Sequence, residues 1–392
     1  MSIINARYKI ITPMFMAGAN QRDLAELRPP SFKGVLRFWF RATALPYFNN
    51  KLERVKEAEK KLFGSVDTGK ARFSLKIEHR IGDNQVVKAG QKWNKHGIAY
   101  LGYGVIGRNR FNRQVENTRS YIRQGNTFTV SLILKPDVSD EERLFLKRSL
   151  IALGLFGGLG SRSRKGFGSV NLQSLTEDDR EAWVAPKTVD EVEDRIKNFI
   201  RELGPLSDKM PQYSAFSEHT SVTIVNGNID PLKLLDEIGK EMLRYRSYGH
   251  YSKREGKYIL PWKEPALQIF KDDHDLVLKA ARGNKPDTHP ERVVFGLPHN
   301  YRFSTGEYVR IFPENKNENT AQRASPLFIH IHELEDDCVA VLTLLTAQFL
   351  PPGERIKIIG RGSHIVNTNV NYNVILDFIK RFPDRIQVYP QK

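Results

Sequence analysis

The chain has 392 residues, enough for two domains of ordinary size, and its 40% hydrophobic and 10% aromatic content points to packed cores rather than disorder. Lys and Arg number 61 against 45 Asp and Glu, a formal charge of +16 that favours RNA, DNA or an anionic membrane surface as partner. No apolar run reaches the length of a transmembrane helix, the N-terminus lacks the apolar block of a signal peptide, and a single cysteine, Cys338, allows no internal disulfide; the expectation is a soluble cytoplasmic protein.

The first half reads as strand, helix, strand, strand, helix, strand. Residues 6–12 alternate as a strand. After the stop signal Pro29-Pro30, Ser31 is the expected N-cap of a helix to about Ala44, and 51–63 continues the connection as a second helix. In the first of these, Lys33, Arg37 and Arg41 follow i, i+4, i+8 and form one cationic ridge over an arc of roughly 80°. The apolar flanks must pack on a sheet, which is expected to leave the ridge beside a groove, and Gly34 in the first turn suggests a close neighbour. Residues 71–78 and 127–134 read as strands, 140–156 as a helix and 167–172 as the fourth strand.

Between the second and third strands lies an insertion, 80–125, dense in Arg and aromatics. Arg108, Arg110, Arg113, Arg119 and Arg123 interleave with Tyr103, Phe111 and Tyr121; Arg on phosphate plus aromatic stacking on bases suits single-stranded RNA, and a protein-docking arm is the alternative.

The turn Gly157–Gly168, GGLGSRSRKGFG, joins the second main helix to the fourth strand. Its five glycines permit φ > 0 and close chain approach, and Arg162, Arg164 and Lys165 load the same turn with cations. Successive N–H groups in such a turn can cradle an anion, which makes Gly158, Gly160, Gly166 and Gly168 candidates for a backbone phosphate loop. The spacing fails both the Walker A and the dinucleotide patterns, and the order is helix, loop, strand rather than strand, loop, helix. A nucleic-acid backbone suits it better than a mononucleotide.

Residues 176–218 read as a charged, partly helical linker. A weaker second copy of the element order then runs through a strand at 221–225, a helix at 231–245, strands at 293–297, 327–334 and 339–345, a helix at 369–382 and a strand at 385–389. The fold class expected is α+β, two tandem ferredoxin-like (RRM-like) βαββαβ domains with long basic insertions: 1–175 with insertion 80–125, then 219–392 with insertion 250–290. A second basic-aromatic stretch, 244–262, carries Arg244, Arg246, Tyr248 and Tyr251; it reads equally as a stacking surface or as packing, since Tyr245 can complete the preceding helix's apolar face.

Three motifs, LRPPSFKGVLRFWFRA (27–42), GGLGSRSRKGFGSV (157–170) and RASPLFIHIHEL (323–334), together resemble the Cmr-type RAMP proteins of type III-B CRISPR effectors, and within them the first-numbered subunit type. The resemblance implies an RNA-contacting, non-catalytic component at one end of a ribonucleoprotein, partnered by guide or target RNA near the guide 3′ end and by other Cmr subunits, with no membrane, cofactor or metal. By motif position it makes Lys33, Arg37 and Arg41 the basic helix and Arg162, Arg164 and Lys165 the glycine-rich loop. The competing reading is a metal-independent endoribonuclease using His330 or His332, which share a strand face; seam-lining histidines are the plainer account. Arg323 suits an anion or a structural contact, and Asp272, Asp273 and Asp275 read as a solvated loop.

Overall fold

The alternation that marks the first strand is real: β1 (Ile3–Ile10) buries Ile4, Ala6, Tyr8 and Ile10 on one face. The computed structural model describes residues 2–227, 229–303, 305–315 and 322–390. After β1 come α1 (Pro29–Tyr47), α2 (Leu52–Phe63) and β2 (Phe73–His79). The insertion contributes β3 (Val86–Val87), α3 (His96–Leu101), β4 (Ile106–Arg108), β5 (Val115–Asn117) and β6 (Tyr121–Ile122). Then follow β7 (Thr127–Leu134), α4 (Asp140–Phe156), β8 (Val170–Glu177), β9 (Arg180–Val184) and α5 (Val189–Glu202).

The first sheet has the order β2-β7-β1-β8-β9, with every neighbouring pair antiparallel. α1 and α4 cover it, locked by Phe40 edge-on to Phe145 at 5.3 Å. α4 begins at a capping box, in which Ser139 Oγ accepts the Glu142 N–H (3.3 Å) and Glu142 Oε2 accepts the Ser139 N–H (2.9 Å). α1 starts earlier than the expected Ser31 cap: Pro29 and Pro30 occupy its first positions, where proline's fixed φ is already helical and its missing N–H costs nothing. The stretch expected as a linker is largely structural. β9 adds an edge strand, and α5 buries Val192, Ile196, Phe199 and Ile200 in the first core.

The second half runs β10 (Ser221–Asn226), α6 (Pro231–Arg246), β11 (His250–Ser252), β12 (Lys257–Ile259), α7 (Lys271–Ala281), β13 (His299–Arg302), β14 (Tyr308–Pro313), β15 (Leu327–Glu333), β16 (Cys338–Leu344), β17 (Ile356–Ile359), β18 (Ser363–Val366), α8 (Asn373–Lys380) and β19 (Arg385–Tyr389). Its main sheet, β15-β16-β10-β19, is again antiparallel throughout. A third sheet, β13-β14-β17-β18, packs Ile311, Ile356 and Ile358 on Val277 and Ala280 of α7; the sequence pattern did not disclose it. Residues 293–297 are no strand. Glu291–Phe295 forms a 3₁₀ turn that buries Val293 and Val294, and so short an apolar run does not distinguish the two by periodicity. The protein is thus α+β with several antiparallel sheets.

The halves share apolar cores rather than meeting at a linker. Phe328 of β15 lies 5.5 Å from both Phe38 and Trp39 of α1. The insertion is anchored across the same seam. α3 crosses α6 so closely that a Cβ on Gly97 would stand 1.9 Å from the Asp236 carbonyl, and one on Gly239 2.3 Å from that of Gly97. Asp236 Oδ1 accepts the N–H groups of Gly97 (2.8 Å) and Ile98 (3.1 Å), so a carboxylate from the second half caps the insertion's helix.

Candidate nucleic-acid interface

The glycine-rich turn leaves α4, doubles back beneath residues 12–15 and enters β8. At Gly160 φ is +85°, with the Phe15 carbonyl 2.5 Å from where a Cβ would be; at Gly168 φ is +62° and the Leu159 carbonyl would be 2.0 Å away. Both positions need glycine because two chains cross there. Much of the backbone is spent internally: the N–H groups of Leu159, Ser161, Lys165 and Gly168 donate to Gly168, Phe15, Arg162 and Pro13 carbonyls at 2.8–3.0 Å. Gly158 bridges to Ser169, and Gly166 presses on Leu235 of α6. Of the expected backbone cradle, Gly168 has its N–H spent on the Pro13 carbonyl, and Gly158, Gly160 and Gly166 also stand where chains press together. Those glycines pack chains, and the side chains carry the charge.

The turn's cations point into the seam. Arg164 lies over the rings of Phe38 (5.0 Å) and Phe328 (4.5 Å) and donates to the Ser325 carbonyl (2.6 Å); burial, then Arg323, pushes it down to about 10. Arg162, held at φ +64°, is lowered by burial and reaches towards Gly104. Lys165 Nζ is sealed from solvent with no hydrogen-bond partner among the described residues, and burial, with Arg246, Arg162 and Arg164 around it, pushes its amine down to about 7.

These groups line a cavity of about 770 Å³ between the halves, shared with Tyr103 of the insertion, Arg246 of α6, Arg292 and Arg323. Arg292 is paired with Asp273 at 2.9 Å. By contrast, Arg246 Nε and both Nε and Nη2 of Arg323 have no partner among the described residues. Arg246 lies over Phe295 at 4.4 Å, and its Nη2 donates to His299 Nε2 at 3.4 Å. His299 is held neutral, pushed well below its ordinary value by burial and then by Arg246, Arg292 and Lys165. A pocket edged by guanidinium nitrogens that have no partner among the described residues can accept an anion with several oxygens. A second depression, about 340 Å³, lies on the other wall of the turn between Ser31 and Val35 of α1, Gly160, Ser161 and Arg119.

Other expected positions are placed differently. The α1 ridge faces α2, not the turn: Glu59 stands 3.8 Å from Arg37 and 3.5 Å from Arg41. Arg37 Nη2 also donates to the Phe63 (3.2 Å) and Gly64 (2.5 Å) carbonyls, capping the end of α2, and Lys33 lies over Phe73 at 5.7 Å. Ridge and turn thus form no single trough, and Gly34 has open space around it. Arg244 is also held by carboxylates, those of Glu241 and Glu264 (2.8 Å). Arg108, Arg110 and Arg113 surround Phe111, 98% exposed, at the tip of the β4–β5 hairpin; Arg108 Nε donates to the Arg113 carbonyl. Tyr251 is on the exposed β11–β12 hairpin. Asp273 belongs to α7 and is buried, so the acidic run is no solvated loop. Sequence reasoning missed Arg292 and His299, which stand in no motif; the Asp273–Arg292 pair spans nineteen residues without any periodic signal.

His330 and His332 are buried in the seam. His330 Nδ1–H donates to the Gly157 carbonyl and His332 Nε2–H to that of Leu155 (3.1 Å), so β15 is stitched to the end of α4. Burial lowers both, His332 to about 4, and both rings are neutral. Among the described residues no three His, Cys, Asp or Glu side chains gather as a metal site, and no helix is long and apolar enough to cross a membrane.

The model of the RAMP superfamily matches residues 7–171, a span that holds β1, α1 and the glycine-rich turn. The Cmr1-2 subunit of the Pyrococcus furiosus Cmr system is 36% identical over 182 residues, 43% of this chain and 93% of that protein. The chain belongs to the Cmr1 family of RAMP proteins. The crystal structure of Cmr1 from Pyrococcus furiosus in its apo form superposes over 99% of both chains with a TM-score of 0.59 at 20% identity. A chain of the type III-B Cmr-β complex bound to cognate target RNA matches 97% of this one and 98% of its own length, with a TM-score of 0.51 and 12% identity.

Proposed function

We propose that this chain is a non-catalytic, RNA-binding subunit of a type III-B CRISPR (Cmr) ribonucleoprotein, touching the backbone of guide or target RNA near the guide 3′ end and aiding target capture. The observation that carries this reading is the seam cavity, where Lys165, Arg246 and Arg323 keep polar atoms without partners among the described residues, in a chain of charge +16. Such groups lose hydration on burial and regain interactions only when an anion arrives. A fold shared with a chain of an RNA-bound Cmr complex is consistent with it. The repeated order, β2-β7-β1-β8 and β15-β16-β10-β19, each split by a helix after the first strand, supports reading 1–175 and 219–392 as tandem ferredoxin-like βαββαβ units. Arg162 and Arg164 on the turn, with Arg108, Arg110 and Arg113 on the hairpin tip, extend the cationic surface.

The endoribonuclease alternative requires His330 or His332 to reach a 2′-hydroxyl, and both are buried with a ring N–H committed to a carbonyl. Two measurements test the proposal. Affinity for single-stranded RNA falls with salt, the logarithmic slope growing by roughly 0.7 per phosphate neutralised, and weak binding with a flat salt response overturns it. Labelled RNA incubated with the chain in EDTA stays intact, whereas cleavage abolished by His332→Ala establishes the nuclease instead.

A further inference from the structure

The second basic-aromatic stretch is not absorbed by the seam, and its rings are arranged as a row. Tyr251 and Tyr258 are direct cross-strand partners on the β11–β12 hairpin, their rings 5.4 Å apart. Tyr258 meets Tyr248 at 4.9 Å, Tyr248 stacks face to face on His274 of α7 at 3.8 Å and 6°, and His274 meets Phe303 at 5.4 Å. The inner rings tie the hairpin to α7 and the third sheet. Tyr258 is the ring through which the hairpin reaches Tyr248, and Tyr251 sits at the open end of the row; Tyr251 is 56% exposed and Tyr258 36%. The hairpin's turn and return strand add exposed Lys253, Arg254 and Lys257 against one acid, Glu255.

We propose that Tyr251 and Tyr258, backed by Lys253, Arg254 and Lys257, form a stacking platform for unpaired bases of single-stranded RNA, separate from the seam cavity. The chemistry is that of sequence-neutral single-strand binding, in which a ring supplies a π-face to any base and nearby cations follow the phosphates. Charge complementarity selects RNA over a protein neighbour: the hairpin offers exposed rings with a net positive edge. Duplex is excluded because its bases are already stacked.

This inference rests on the RNA-binding reading above, and its test separates the two. The full-length chain is titrated with an oligouridylate, and crosslinked through 4-thiouridine with the adducts mapped. Tyr251→Ala with Tyr258→Ala weakens binding roughly tenfold at an unchanged melting temperature, Tyr251→Phe with Tyr258→Phe retains it, and wild-type crosslinks map to 248–258. Should the tyrosine variant bind as wild type while Arg246→Ala weakens binding, the platform fails and the seam reading stands. If wild type binds no RNA, both fall. A tyrosine variant that binds RNA normally but no longer enters the Cmr assembly assigns the row to a neighbouring subunit and overturns the proposal; one that loses stability leaves the wild-type crosslink map to decide.

Discussion

The α1 ridge and the seam cavity are made from the same residue types and have opposite electrostatic character. On the ridge, Arg37 and Arg41 share Glu59, and Arg37 also satisfies two carbonyls at the end of α2. In the seam, Lys165, Arg246 and Arg323 converge from a turn, a helix and a loop with nitrogens that have no partner among the described residues, and the neighbouring carboxylate of Asp273 is taken by Arg292. Cation spacing on one helix measures only how charge is displayed. Whether that charge is available to a polyanion depends on which carboxylates the fold brings to it.

The hardest way to break the contrast is to open the seam itself. Gly239→Val drives a side chain into the α3 backbone and is expected to cost about 3 kcal/mol or more in denaturant unfolding, because backbone at both sides cannot yield. A comparable loss comes from pH. His332 has a folded value lowered to about 4, so its contribution is complete above the unfolded value of about 6.5 and is lost as pH falls from there towards 4. That window is worth on the order of 3 kcal/mol, and urea unfolding at a series of pH values reads it; a flat profile would show that the ring is hydrated.

Removing seam charge sharpens the contrast through affinity. Arg246→Ala with Arg323→Ala is expected to weaken single-stranded RNA binding by about tenfold to a hundredfold, 1.4 to about 2.8 kcal/mol, irrespective of sequence. Lys165 adds a pH signature. Below about 7 it is charged in the free chain, and above that it must take up a proton to meet a phosphate, so affinity falls by up to about tenfold per pH unit. Lys165→Met is expected to flatten that slope. The smallest effects belong to the ridge. Arg37→Ala costs about 1 kcal/mol of stability through its lost cap contacts and Arg41→Ala about half that, while RNA affinity stays within about twofold for both. A tenfold loss in Arg41→Ala would make the ridge a binding surface and erase the distinction.

Much of the scaffold was legible in the residues alone. The spans 127–134 and 140–156 read as strand and helix and fall there, the helix being opened by the Ser139–Glu142 capping box. The glycine-rich turn was equally visible, with its cations, although the reason for its glycines was not: Gly160 and Gly168 respond to carbonyls of Phe15 and Leu159 pressed against them. α5 looked like linker because four buried residues on one face of a charged helix signify packing only once the first core is there to receive them. The third sheet escaped because its short strands pair β14 with β17 across more than forty residues.

Sequence by itself determined the main helices, the strands of the two larger sheets and the excess of positive charge, because periodicity, capping and composition act over a few residues or over the whole chain. Only the tertiary structure decided which cations are neutralised. Arg37 meets Glu59 and Arg244 meets Glu264, whereas Lys165 lies among Arg246, Arg162 and Arg164 with a buried histidine nearby. Electrostatic free energy depends on distance and desolvation between groups remote in the chain, and neither quantity exists until the chain has folded.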